Sequence, residues 1–251
     1  MLHIEIKSAS FDVEATNVQF WDNMTSGNWE ATTLEVFRQC IDEKTTFVDV
    51  GAWIGPTTLF AANFAKRVIS IEADPVAASQ LNRNVGLNPR LKSKIEVIEK
   101  AISQTTGTVR LGARTGRGDS MSSLLFANNE DCWEVPTITP VELSRLLLNE
   151  EKIFIKMDIE GGEYGVLPHF TPVTALPNAT FLIAFHPKFL PGNSLWSLKT
   201  ALMTAKAMKS FGGYNLTLVK KKSVRNLPIF SLLNKVGWAA FPVHHSILAS
   251  K

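Results

Sequence analysis

The chain has 251 residues, 45% of them hydrophobic and 20% charged, which suits one α/β domain with a full core or two small ones. Ordinary apolar content and only two cysteines exclude disorder, collagen-like repeats and disulfide scaffolds, and Cys40 and Cys132 lack the spacing of a zinc site. The net charge of +3 hides an asymmetry: 16 basic and 23 acidic residues up to Glu163, then 10 basic residues and no acid from Tyr164 onward. Either two interleaved halves compensate in one fold, or the basic last third forms a positive surface for an anionic substrate, a phosphate or a membrane face.

Two short alternating runs, 3–6 and 11–14, read as a small hairpin or edge strands. Leu34, Phe37 and Ile41 recur at helical spacing and predict a helix over 29–41. From Thr45 a strand–helix beat begins. Strands are predicted over 46–50, 68–72, 95–98, 153–158, 180–186 and 215–219, with a last one over 238–247. Helices are predicted over 56–66, 75–87, 140–148, 195–210 and around 229–236. Pro56 suits a helix start, where the missing amide has no helical partner. The stretch between 98 and 140 reads as irregular, with a glycine-rich polar loop at 112–123. This alternation makes a mostly parallel sheet covered on both faces, formed by residues 45–251, with residues 1–44 packing on it. Ligands of such sheets sit beyond the carboxyl ends of the strands.

The segment Phe-Val-Asp-Val-Gly-Ala-Trp-Ile-Gly (47–55) is a strand, a tight turn and a helix start. A dinucleotide fingerprint would need glycine at 51, 53 and 56, but these positions hold Gly51, Trp53 and Pro56, which disfavours a pyrophosphate and an NAD-linked oxidoreductase. Asp49 in this segment and Glu72 at the end of the next strand put two acids at adjacent strand tips. Glu72 would accept ribose hydroxyls, while Asp49 would sit near an ammonium or position water and loop amides. S-adenosylmethionine has an ammonium, a sulfonium and a ribose, and no phosphate, so it fits.

Farther on, Ile-Lys-Met-Asp-Ile-Glu-Gly-Gly-Glu (155–163) places Asp158, Glu160 and Glu163 at the fourth strand's end. Three carboxylates in six residues form the best catalytic constellation, although Glu163 also suits a helix start through the macrodipole. Lys156 alternates with Asp158 along the strand and could pair with one of these acids. His186 closes the neighbouring strand, as a general base, a substrate ligand or a structural histidine. Adjacent His244 and His245 point to opposite faces and read as structural. No metal is expected.

Segments 47–55, 70–75 and 155–163 together resemble the FkbM family of S-adenosylmethionine-dependent methyltransferases, over about two thirds of the chain. The resemblance implies the Rossmann-like class I methyltransferase fold, an α/β architecture with a seven-stranded mostly parallel sheet, helices on both faces and the last strand antiparallel. It implies cofactor contacts from Asp49, Gly51, Ala52, Gly55, Glu72, Ala73, Ala101 and Asp158. Catalysis would fall to Asp158, Glu160 and His186, and substrate binding to Glu163, His186, Arg114 and Arg117. Many relatives carry Glu-x-His where this chain has Ala184 and His186, so that acid's role is missing or moved to the 158–163 cluster. The expected reaction is O-methylation of a sugar, glycan or natural-product alcohol, possibly anionic. The other readings are N-methylation or cofactor binding without transfer. No basic–aromatic pattern of a nucleic-acid groove is present, no uncharged run reaches the ~20 residues of a membrane span, and a cytoplasmic location is expected.

Overall fold

A computed structural model describes residues 1–112, 118, 132–189, 198–220, 223–226 and 245–251. The chain opens with the hairpin β1 (Leu2–Ile6) and β2 (Ala9–Val13). Lys7 and Ser8 turn it with φ of 47° and 68°, the mirror-image turn that matches strand twist. Two helices follow, α1 (Val18–Thr25), which hydrophobic spacing did not reveal, and α2 (Ala31–Cys40).

The beat then runs β3 (Thr45–Val50), α3 (Pro56–Ala62), β4 (Arg67–Ile71), α4 (Pro75–Gly86), α5 (Pro89–Lys92) and β5 (Ile95–Ile98). A side unit comes next, made of β6 (Ala101–Ile102), β7 (Thr108–Gly112) and β8 (Cys132–Ile138). The beat resumes with α6 (Pro140–Leu147), β9 (Lys152–Met157), α7 (Glu163–Val166), α8 (Thr171–Thr174), β10 (Ala179–Phe185) and α9 (Leu198–Ala207), and closes with β11 (Asn215–Lys220), β12 (Ser223–Asn226) and β13 (His245–Ser250). Helix starts follow the local chemistry. Asp74 caps α4 by accepting from the amides of Val76 and Ala77 at 2.8 and 3.3 Å. Thr139 and Glu142 close a reciprocal capping box on α6.

The main sheet has the order β12-β11-β13-β10-β9-β3-β4-β5. Neighbours from β10 through β5 pair in parallel, and β13 runs antiparallel between β10 and β11. This is the expected sheet of seven with its reversed strand, extended by an eighth, β12, antiparallel at the edge beside β11. The stretch between 98 and 140, expected to be irregular, carries the three-stranded side sheet instead. Leu111 and Val135 turn inward there and pack with Ala101. The final strand is described over His245–Ser250, overlapping the expected 238–247, whose first seven residues lie outside the described residues, as does the helix expected around 229–236. Among the described residues, no helix is long and apolar enough to cross a membrane.

Both faces of the sheet are buried, as parallel strands require. Along β9 the side chains alternate: Phe154 joins Phe37, Phe47, Leu59 and Trp21 on one face, while Ile155 and Met157 join Phe170, Phe181 and Phe211 on the other. The N-terminal segment therefore covers the first face, through Ile4, Phe11, Trp21 and Leu34.

The tips of β3 and β9 meet at Gly51, whose φ is +80°. A Cβ there would stand 2.0 Å from the carbonyl oxygen of Asp158. Gly51→Ala should therefore lower stability by about 2–4 kcal/mol, from left-handed backbone strain plus backbone overlap. Gly86→Ala, where a Cβ meets nothing within 4 Å, should leave the protein as stable as before or slightly more so. Urea unfolding of the two variants reads the difference.

Candidate active site

The candidate site occupies the carboxyl edge of the sheet, where four neighbouring tips present functional groups: Glu72 after β4, the 51–55 turn after β3, Asp158 and Glu160 after β9, and His186 after β10.

The turn is held from both sides. The amides of Gly51 and Ala52 donate to the carbonyl of Ile71 at 3.0 and 3.3 Å. Trp53 sits at φ 49°, an uncommon conformation for a bulky residue, and its amide donates to Glu72 Oε2 at 2.7 Å. Its indole nitrogen donates to the carbonyl of Gly118 at 3.0 Å, and its ring meets Phe20 edge-on at 4.7 Å. Gly55, at φ 96°, opens α3. The other Glu72 oxygen accepts from the amide of Asp74 at 2.8 Å. Burial raises the Glu72 carboxyl to about 7 against the pull of these amides. Ala73 and Ala101 pack together where the side sheet meets the β4 tip.

Asp49 lies beneath the turn and is fully buried. Its Oδ2 accepts from the hydroxyls of Thr57 and Thr58 at 2.7 and 2.8 Å, and Oδ1 pairs with the Lys156 ammonium at 3.2 Å. It therefore grips protein groups below the turn. The Lys156 ammonium also donates to the carbonyl of Gly51 at 2.9 Å and lies 3.9 Å from Asp158. Burial disfavours its charge, but Asp49 and Asp158 outweigh that and raise its pKa. The sequence placed Lys156 near the acids; its reach to the Gly51 carbonyl comes from the parallel register, which sets Lys156 directly beside Asp49.

Beyond β9, Asp158, Glu160, Glu163 and His186 come together. Glu160 adopts φ 51° and Gly161 φ 97°, which turns the chain sharply into α7. Glu163 is fully buried, and its Oε1 accepts from the amide of Ile159 and from His186 Nδ1, both at 3.0 Å. His186 Nε2 lies 3.5 Å from Asp158 and 3.7 Å from Glu160. Burial opposes charge on this ring, but the hydrogen bond to Glu163 and the charges of Asp158, Glu163 and Glu160 raise its pKa to about 9. The imidazole is thus cationic at neutral pH. Burial likewise pushes the Glu160 carboxyl up to about 7, with Asp158 and Glu163 adding to the shift against the pull of His186. Asp158, Glu160 and His186 offer ligand atoms that all lie within 4.8 Å of one another, close enough to share a metal ion.

Arg114, Arg117 and His244 lie outside the described residues. Sequence reading missed Glu30 and Thr33, which reach the edge from the start of α2 and line a cavity with Lys156 and Asp158. No periodicity marks them, because they are brought there by packing of the N-terminal segment.

The parallel five-strand core with a reversed strand beyond it, and an acid-rich edge at its carboxyl tips, is the class I methyltransferase architecture. The model of the FkbM methyltransferase domain matches residues 49–190, more than half of the sequence, and the chain belongs to the FkbM methyltransferase family. Among solved structures, the FkbM methyltransferase from Methylobacillus flagellatus is 14% identical with a TM-score of 0.50; the match covers 92% of this chain and 54% of that one. This chain therefore spans about half the length of that protein. An rRNA methylase from Streptococcus thermophilus is 12% identical, with a TM-score of 0.46 and coverages of 87% and 93%. A Streptococcus mutans protein in complex with S-adenosylhomocysteine is 8% identical, with a TM-score of 0.43 and coverages of 87% and 95%. No curated protein matches the sequence.

The raised pKa of His186 links pH to stability. Its folded value of about 9 exceeds the ordinary 6.5, so its contribution is complete below pH 6.5 and is lost as pH rises through 9. The melting temperature should fall over this window, by an amount on the order of 3 kcal/mol of stability. In His186→Asn the fall should be largely gone, which thermal melts across pH 6 to 9.5 test.

Proposed function

We propose that this protein transfers a methyl group from S-adenosylmethionine to a hydroxyl of a sugar, glycan or natural-product alcohol. The observation that carries the reading is the sequence of groups across adjacent strand tips: a buried carboxylate after β4, a turn carrying Trp53 where a dinucleotide fingerprint has glycine, and a carboxylate–imidazole cluster one strand beyond. Glu72 accepts the ribose hydroxyls, using lone pairs left over after its two amide bonds. Ala73 and Ala101 flank the adenine. Gly51, Ala52 and Gly55 shape the turn beneath the donor, with Asp49 bracing it from below. Asp158 faces the donor and acceptor together.

The transfer is an in-line displacement. The acceptor oxygen forms a bond to the methyl carbon as the carbon–sulfur bond breaks, and the sulfonium becomes a neutral thioether. Alignment in a dry pocket is the main requirement, followed by removal of the hydroxyl proton. With a pKa near neutrality, Glu160 suits that proton transfer better than His186, which is already charged. His186, held by Glu163, then serves to orient Asp158 and Glu160 and to bind the acceptor oxygen. Four acids around this edge (Glu30, Asp158, Glu160 and Glu163) repel a phosphate backbone, which favours a small or glycan acceptor over nucleic acid. An anionic handle on the acceptor would be attracted by the basic last third of the sequence.

Calorimetry with S-adenosylhomocysteine should give saturable binding to the wild-type chain, and absence of any heat with it or with S-adenosylmethionine would end this reading. In acceptor screens, kcat should rise through pH 7 as Glu160 ionises. Glu160→Gln should flatten that rise and lower kcat by roughly 10²–10⁴-fold. Because the protonated His186 already compensates Asp158 and Glu160, the rate should survive a chelator. Loss of activity in EDTA with recovery on adding a divalent ion would instead assign the trio to a metal.

A further inference from the structure

Three partly exposed aromatic rings stand side by side near the carboxyl edge: Phe20 from α1, Trp29 just before α2, and Trp53 in the turn after β3. Phe20 meets Trp29 at 5.0 Å and Trp53 at 4.7 Å, both edge-on, and so links the two indoles into one array. The rings pack against the core below and keep part of their surface in water. The Trp53 indole is committed to the Gly118 carbonyl. The Trp29 ring instead lines a cavity whose wall also carries Glu30, Lys156 and Asp158. That cavity, of about 20 Å³, admits one water-sized group such as a hydroxyl, and no ring.

These neighbours define what can cover Trp29. Glu30 is fixed in place by a hydrogen bond from Thr33. Asp158 is answered by His186 at 3.5 Å and Lys156 at 3.9 Å. A carboxylate so answered still accepts from neutral donors, because its two oxygens offer about four lone-pair sites. A ligand laid on the Trp29 ring takes water from both acids, and that is costly unless its own donors replace the water. An anion would be repelled, and an alcohol with one hydroxyl brings a single donor. A pyranose brings hydroxyls around its rim and an apolar C–H face across its middle. That face suits the negative face of an aromatic ring, and the rim suits the carboxylates beside it.

Resting on the methyl-transfer reading above, we propose that Trp29 is the platform on which the acceptor lies, and that the acceptor presents a neutral pyranose ring there. One hydroxyl of that ring enters the cavity between Glu30 and Asp158. Phe20 and Trp53 extend the apolar surface toward the β3 turn for the rest of the acceptor. Trp29 and Glu30 together thus select a sugar over an alcohol with one hydroxyl.

Ligand-observed NMR on the full chain, with S-adenosylhomocysteine present, tests this. The probes are the methyl pyranosides of glucose, galactose, mannose, fucose and rhamnose, with cyclohexanol as a ring that carries one hydroxyl. At least one pyranoside should bind about tenfold or more tightly than cyclohexanol. Its affinity should fall about tenfold in Trp29→Ala and stay within about threefold in Trp29→Phe, which keeps a ring face. Cyclohexanol binding as tightly as every pyranoside overturns the proposal, as does a panel in which no pyranoside binds. Wild-type affinity in Trp29→Ala overturns it too. If Trp29→Ala does not fold, Glu30→Gln takes its place: about a tenfold loss is expected for the pyranoside and little for cyclohexanol, and an unchanged pyranoside affinity overturns the proposal. Calorimetry of the same wild-type preparation with S-adenosylhomocysteine separates the two readings. If that nucleoside binds and no pyranoside does, this proposal alone falls; if the nucleoside does not bind, the donor reading falls and takes this proposal with it.

Discussion

The candidate site is organised around one buried ammonium. Lys156 projects from β9 beside Asp49 of β3, donates to the Gly51 carbonyl and approaches Asp158. Two stretches of chain more than a hundred residues apart, β3 with its turn and β9 with its acid tip, are thereby tied to one point. A charge this buried is costly to desolvate, and removing one partner of such a pair typically costs about 3–5 kcal/mol. The arrangement therefore holds as a unit. It also explains the glycine at 51: the turn is drawn so close to β9 that a side chain there would overlap the Asp158 carbonyl.

Electrostatics on the two sides of this knot differ. Toward β10, acids outnumber cations: burial raises the proton affinity of Glu160, while the neighbouring carboxylates, against the effect of burial, raise that of His186. Toward β4, Glu72 is equally enclosed but is met by backbone amides. On the reading proposed above, a cationic donor laid across these tips would supply balancing charge to the acids of this edge.

Much of this was legible in the sequence, for physical reasons that can be named. Short apolar runs such as 46–50 mark strands buried on both faces, and Pro56, Pro75 and Pro140 stand at the first helical positions that follow a strand or its tip. Acids at strand ends, among them Glu72 and Asp158, could be placed at the functional edge by topology alone. The strands Thr108–Gly112 and Cys132–Ile138 were hidden because each buries only part of one face, beside a glycine-rich loop that dominates the local composition. The helix Val18–Thr25 escaped because it buries just Trp21 and Met24. The partners of Lys156 and the approach of Glu30 are tertiary facts. A register between strands separated by more than a hundred residues sets the first, and packing of the N-terminal segment sets the second.

The alanine at 184 gains meaning from that packing. Beside it, in antiparallel register on β13, stands Ser246, so two small side chains lie next to each other on the cavity wall. A glutamate at 184, as the family resemblance would place it, would bring a carboxylate into the space that Glu30 lines from the opposite element. With Glu30 present, a second acid would add repulsion to a wall that already carries Asp158. With Ala184, the room is kept and the negative charge comes from α2, a helix whose approach depends on Phe37 packing against Phe47 and Phe154. The aromatic core beneath α2 sets how far Glu30 can reach toward this wall.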